Sequence, residues 1–439
     1  MDMIHTPIKR LLLKLSPPVM LALLIQSVYN IVDSFFVARY SGEGLTALSI
    51  VYPVQLLMTA LATGTGAGVN LLISRMDGQG ETEKQSGVVT CGLALALFHF
   101  LLSAVLEASL CDAYFRLSSA NELVNTQGIT YMNIIFAGSL GLFVESICTK
   151  ILQARGNMAL PMAAQVVGAV FNIILDPVLI FGLFGVPSMG IAGAAIATVL
   201  GQWAAMFITL TAVRRIYPRR GKWDRGTCFQ IYQNGIGSIV TQSLYTLYIV
   251  GLNMILALFS EDAVTVLGIY YKIQSFFFIP LLGFQQVLLP VISHNFGAGQ
   301  TRRIQETVRF AVMLSTGLML AASLVFLLFP QPLLTIFSGK KELLRIGEYA
   351  FRVISLSFVP AGITIVVTSY LQGIAKMKLS VFVIVLRQVV LLVPLAWILH
   401  FAGLKAVWWT FPITELIAAA VCIFMKSSKS SDILPITTK

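Results

Sequence analysis

The sequence predicts an all-α integral membrane protein of about twelve transmembrane helices in two six-helix bundles. Three observations carry that prediction. Of 439 residues, 57% are hydrophobic and 11% charged, with a mean hydropathy of +0.85, a composition far from that of soluble domains. Apolar runs long enough to cross a bilayer follow one another along the chain, joined by short polar loops. Loop motifs also recur at a fixed spacing. Gly78 and Gly80 match Gly297 and Gly299, and the stretch from Leu152 to Met158 matches that from Leu371 to Met377, both 219 residues on. Gln26-Ser-Val-Tyr29 is echoed by Gln242-Ser-Leu-Tyr245 at 216.

Six spans per repeat is an even number, so both halves share one orientation and are related by a pseudo-twofold axis along the membrane normal. The expected organisation is an amino-terminal lobe at 1–214, a basic linker at 215–227 and a carboxyl-terminal lobe at 228–439. An enzyme seldom needs such symmetry, whereas alternating access does; no enzymatic activity is expected.

The expected spans run 16–40, 45–74, 87–112, 122–150, 160–183, 190–213, 228–259, 263–293, 304–329, 343–371, 379–400 and 404–425. The first starts at Pro17-Pro18, where a missing N–H is least costly, and is too long for a signal peptide. The second contains Gly64, Gly66 and Gly68. No strand precedes them, so Gly64 and Gly68 read as a close helix-packing face rather than a phosphate loop. Glu145, near the end of the fourth span and close to Lys150, reads as interfacial.

Charge placement orients the chain. The net charge is +11, and 21 of the 30 Lys and Arg fall on one side when loops are assigned alternately, densest at Arg214, Arg215, Arg219, Arg220, Lys222 and Arg225. This positive-inside pattern puts both termini in the cytoplasm and makes lipid headgroups, not nucleic acid, the partner of the basic loops. The five cysteines and four histidines are scattered, with no CxxC. They suggest neither disulfides nor a metal site, and no Walker-type motif supports ATP-driven work.

Ionisable groups inside the spans are the candidate functional residues. A carboxylate near the membrane centre costs about 2.5–3.5 kcal/mol on insertion scales, so it marks a site by default. Asp33 and Asp176 each lie seven residues before the outer end of their spans, and Thr198 eight below its outer start. All three therefore sit about 10–12 Å under the outer boundary at ~1.5 Å per residue. Gln26, Asn30 and Asp33 share one helical face, and Asn172 lies one turn below Asp176. Two carboxylates, amides and a hydroxyl at one depth form a candidate site for a proton or sodium ion, with no other cofactor. In the second half, Arg387 and Glu415 lie at similar depth on consecutive spans and read as a structural ion pair. Lys272 either faces a cleft and tunes substrate choice or snorkels to the surface. Tyr245, Tyr248, Tyr270, Tyr271 and Phe276 to Phe278 either line an apolar cavity or pack against lipid.

The pattern resembles the multidrug and toxic compound extrusion (MATE) family of cation-coupled antiporters over essentially the whole chain. The matching stretches are YNIVDSFFV at 29–37, RMDGQG at 75–80, ILQARGNM at 151–158, FNIILDPVLIFG at 171–182 and GIAGAAIATVLGQ at 190–202. In the second half they are YYKIQSFFFIP at 270–280 and HNFGAGQ at 294–300. The likeness is greatest to the bacterial DinF/MepA-type branch, and implies a cation-coupling role for Asp33, Asn172, Asp176 and Thr198, with Asn30 beside them. Gln26, Tyr29, Lys272, Gln242 and Tyr245 are the candidate substrate-cleft residues. Gln242 stands where the NorM-type branch would lead one to expect an acid, which argues against a sodium site in the second lobe.

The reading is thus a monomeric exporter in the bacterial plasma membrane. It exchanges protons, or sodium, for amphipathic, often cationic organic compounds. The rivals are a lipid-linked sugar flippase of the same superfamily and a membrane-embedded lipid-modifying transferase. The first wants more cations in its spans. The second wants carboxylates or histidines clustered at headgroup level.

Overall fold

A computed structural model describes residues 6–219, 221–337 and 339–428, all of whose regular elements are helical. Arg220 of the basic cluster lies outside the described residues. So do 1–5 and 429–439, on which the assignment of the termini bears.

In chain order the helices are α1 (Ile8–Tyr40), α2 (Gly42–Gly78), α3 (Thr82–Ser118), α4 (Glu122–Gly138), α5 (Leu140–Ala154), α6 (Ala159–Phe181), α7 (Ile191–Ile216) and α8 (Arg225–Ala257). They continue with α9 (Glu261–Gly297), α10 (Thr301–Leu328), α11 (Pro330–Thr335), α12 (Lys341–Ser355), α13 (Phe358–Gly373), α14 (Met377–Val385), α15 (Leu392–His400), α16 (Leu404–Val407) and α17 (Thr410–Ser428). Side-chain caps fix several starts. Ser41 accepts from the Gly44 N–H at 3.0 Å, Asn121 from Leu123 at 3.0 Å, Asp224 from Thr227 at 2.7 Å and Ser260 from Ala263 at 3.1 Å.

Among the described residues, ten segments are long and apolar enough to cross a membrane by themselves, and twelve when each of two bent pairs counts as one span. The bends, 47° between α4 and α5 and 45° between α12 and α13, were not legible in the sequence. At each, a neighbouring helix takes up a carbonyl at the break. Trp203 Nε1 donates to the Gly138 carbonyl at 2.9 Å, and Ser323 Oγ to that of Ser355 at 2.7 Å. A backbone group left bare in lipid would cost several kcal/mol, so these donors make the bends tolerable. A π-helical turn, Leu386–Leu391, joins α14 to α15.

Pro17 and Pro18 do not start the first helix as expected. Its basic amino-terminal turns are helical too, so both prolines lie inside α1. The helix begins earlier because Leu11 and Leu12 are fully buried and draw those turns into the packing.

Packing groups the chain into two compact units, Lys14–Ile239 and a second comprising 6–13 and 240–428. The division falls inside α8, whereas composition marks the basic stretch 215–227. In the first unit, Gly64 and Gly68 provide the expected close-packing face. A Cβ on Gly68 would lie 2.0 Å from the Ile231 carbonyl oxygen, and one on Gly64 2.2 Å from the Ile239 side chain. The helix-capping loops are tied by Arg155, which pairs with Asp77, and by Tyr217, whose hydroxyl donates to Gln85 Oε1 at 2.6 Å.

The second unit has an aromatic core. Tyr270 is 1% exposed, with its ring 5.7 Å from Phe411 and 6.1 Å from Phe351. It is a core residue that does not face lipid, and with Tyr248, Tyr271 and Phe278 it lines a small cavity of the second unit. Arg303 donates to Asn295 Oδ1 at 3.1 Å and to the Thr6 carbonyl at 2.8 Å, holding the start of the chain to this unit.

Candidate functional site

The site grows from the contact between α6 and α7. A Cβ on Gly168 would lie 2.7 Å from the Gly201 carbonyl oxygen, and one on Gly201 2.5 Å from that of Gly168. Only glycine at both positions lets the backbones come this close. Asn172 lies four residues after Gly168 and Thr198 three before Gly201, so the crossing brings them together. Asn172 Nδ2 donates to Thr198 Oγ1 at 3.3 Å and to Asp176 Oδ1 at 3.3 Å.

Asp176 is fully buried and Asn172 is 2% exposed. Asp33, on α1, lies close enough to Asp176 for hydrogen-bond and charge interaction between the two carboxyl groups. Pro177 is inside α6 and has no N–H, so the Ile173 carbonyl lacks its helical donor beside the site. Three buried acceptor oxygens, Asp33 Oδ1, Asn172 Oδ1 and Asp176 Oδ2, have no hydrogen-bond partner in the structure. Buried polar atoms in proteins are nearly always satisfied, and a set made of acceptors alone could take up a proton or a cation. The oxygen-rich donor set fits a hard cation such as sodium as well as a proton.

Beside these residues the first unit contains a cavity with about 120 Å³ of space for water centres. Gln26, Tyr29, Asn172 and Thr198 line it, joined by Glu145, Gln165 and Gln202. Asn30 is not brought to it. Its side chain is exposed, and its carbonyl accepts from Ser34 Oγ at 2.9 Å. At about 100° per residue, Gln26, Tyr29 and Asp33 centre on one line of α1 and Asn30 falls at its edge. The sequence reading took Glu145 as interfacial and did not see it as a cavity residue. It lines this cavity, on α5 beyond the 47° bend between α4 and α5.

The second-unit candidates lie elsewhere. Gln242 is half-buried; Tyr245 is exposed, its ring 5.4 Å from that of Tyr248. Lys272 is exposed on α9 and makes no ion pair among the described residues. Arg387 and Glu415 form the expected ion pair, Nε to Oε1 at 2.6 Å.

Comparison with known proteins places this arrangement. The model of the family described as MatE matches the chain twice, over residues 18–178 and 238–398. The chain belongs to the MatE family. The two matches start 220 residues apart, close to the spacing of the repeated loop motifs. Similar proteins include the FAD transporter of Shewanella oneidensis, 26% identical over 96% of this chain and 95% of that one. The multidrug export protein MepA of Staphylococcus haemolyticus is 22% identical over 96% and 94%. Among solved structures, a MOP superfamily transporter from Pyrococcus furiosus superposes with a TM-score of 0.90 at 23% identity, covering 98% of both chains, and so shares the fold. This MatE chain is a multi-pass membrane transporter of an efflux family, not an enzyme.

Proposed function

We propose that this MatE protein exports amphipathic, often cationic organic compounds from the cytoplasm by alternating access, in exchange for protons, with sodium as the alternative coupling ion. The observation that carries the coupling reading is the set of three buried, unpartnered acceptor oxygens on Asp33, Asn172 and Asp176. One proton shared between the two carboxyl groups turns an acceptor into a donor and removes a charge that is costly at this depth. A sodium ion would be held by the same oxygens and by Thr198. Loading and unloading this site is what would bias the transporter between its two states, since a ligand shifts an equilibrium only through differential affinity. Lys272 is proposed to influence substrate choice, and Gln26, Tyr29, Gln242 and Tyr245 to contact substrate. The protein would work as a monomer in the bacterial plasma membrane with both termini in the cytoplasm.

A second reading, export of a flavin dinucleotide, is favoured by the likeness to the Shewanella FAD transporter. Against it, the described residues lining the first-unit cavity include no lysine or arginine, which leaves a diphosphate without a cationic partner.

The test is transport in proteoliposomes with pH and sodium gradients imposed separately, with ethidium and FAD as cargo. A pH gradient alone is expected to drive ethidium. If neither gradient drives either cargo, the coupled-antiport reading is wrong.

A further inference from the structure

The first-unit cavity is walled by polar groups at two levels. Asn172, which donates to both Asp176 and Thr198, stands with Thr198 at one; Glu145 and Gln165 stand at the other. Along α6, Gln165 is seven residues nearer the α5–α6 turn than Asn172, about 10 Å at ~1.5 Å per residue. Glu145 lies on α5, and its Oε1 accepts from Thr149 Oγ1 at 2.7 Å with Gln165 beside it. The water space of about 120 Å³ between the two levels admits several molecules, each needing about 10–15 Å³ in the same measure. A carboxylate inside a span is costly wherever it points. This one lines the same cavity as Asn172, whose amide donates to Asp176 of the carboxylate pair.

We propose that Glu145 is a second proton station, receiving the proton that the Asp33–Asp176 pair releases. The proposal rests on the reading of that pair as a proton-coupling site. An O–H bond of the aspartic pair breaks, water in the cavity carries the proton, and a new O–H bond forms on the Glu145 carboxylate. Negative charge passes the opposite way, from Glu145 to the pair. The proton then leaves toward the α5–α6 turn. The titratable and charged groups around Glu145 are Tyr29 from α1, Cys148 and Lys150 on its own helix, and Arg214 of α7 beyond Cys148. Lys150, whose ammonium donates to Gln153 Oε1 at 2.9 Å, is the cation on the same helix.

The test uses the full-length protein in proteoliposomes, with ethidium moved by an imposed pH gradient. Glu145→Gln is expected to bind ethidium as the parent does and to transport it about tenfold more slowly or worse, since a positioned proton-transfer group is typically worth more than that. Glu145→Asp should restore most of the rate and displace its pH profile. Gln165→Leu, which dries the path but spares every carboxylate, should slow transport at unchanged ethidium affinity. Near-parental transport with an unaltered pH profile in Glu145→Gln overturns the proposal, as does loss of ethidium binding, which would make Glu145 a substrate ligand. Should Glu145→Gln fail to fold, unaltered rate and pH profile in the other two variants overturn it. A parent protein indifferent to the pH gradient would instead refute the coupling reading, and the relay with it.

Discussion

Arg387 and Glu415 form an ion pair at 2.6 Å that joins the π-helical turn between α14 and α15 to α17. Glu415 is 8% exposed, and its other carboxylate oxygen, Oε2, has no partner. A buried pair of this kind is weak evidence of stability, because desolvation offsets most of the attraction, but breaking one half leaves a bare charge. Glu415→Gln is therefore expected to destabilise the protein by about 3 kcal/mol, whereas the double replacement Arg387→Met with Glu415→Leu recovers most of the loss. Thermal unfolding in detergent measures both. Equal losses in the single and double variants would show that the pair does more than satisfy itself.

If the Asp33–Asp176 pair carries the coupling ion, binding should separate from transport. Asp33→Asn and Asp176→Asn keep side-chain size and amide–carboxyl contacts, so both variants should express and bind ethidium near normally. Gradient-driven extrusion should fall about tenfold or more, at least 1.4 kcal/mol of barrier. Near-normal extrusion by Asp176→Asn would move the coupling site away from the first unit.

Lys272 is exposed in a span and makes no ion pair among the described residues. If it selects substrates, Lys272→Ala should change the spectrum of exported compounds at unchanged protein level. An unaltered spectrum would favour snorkelling to the membrane surface.

Gly68 tests the helix crossing. Alanine is favoured over glycine inside a helix by about 1 kcal/mol, yet a Cβ here would sit 2.0 Å from the Ile231 carbonyl oxygen. Backbone cannot move aside as a side chain end can, so overpacking strain of about 1–3 kcal/mol should win. Gly68→Ala is expected to lower the melting temperature. Gly317→Ala, where nothing lies within 4 Å of the added carbon, should leave it unchanged or raise it.

Topology can be read by cysteine accessibility. Cysteines placed at Pro218 and at position 430 should label from the cytoplasmic side, and those at Glu43 and Pro187 from outside. Labelling of position 218 from the outer face would overturn the orientation drawn from the basic loops.

By itself the sequence determined the membrane class, the span count and the repeat, because apolar length, charge placement and motif spacing are properties of the chain alone. It also picked out Asp33, Asn172, Asp176 and Thr198, since depth in a span is a matter of counting residues. Facing was harder. Asn30 and Tyr29 are adjacent in sequence, and only the packing of α1 decided that Tyr29 lines the cavity while Asn30 is exposed. Glu145 was legible as a charge but not as a cavity residue, because the Gly138 bend that turns α5 depends on the Trp203 indole from α7. Likewise, Gly168 and Gly201 are ordinary small residues in sequence. Their mutual approach, which brings Asn172 within reach of Thr198, exists only once two helices from different parts of the chain cross. Local periodicity fixes what each helix can present; the crossing of helices decides which side chains meet.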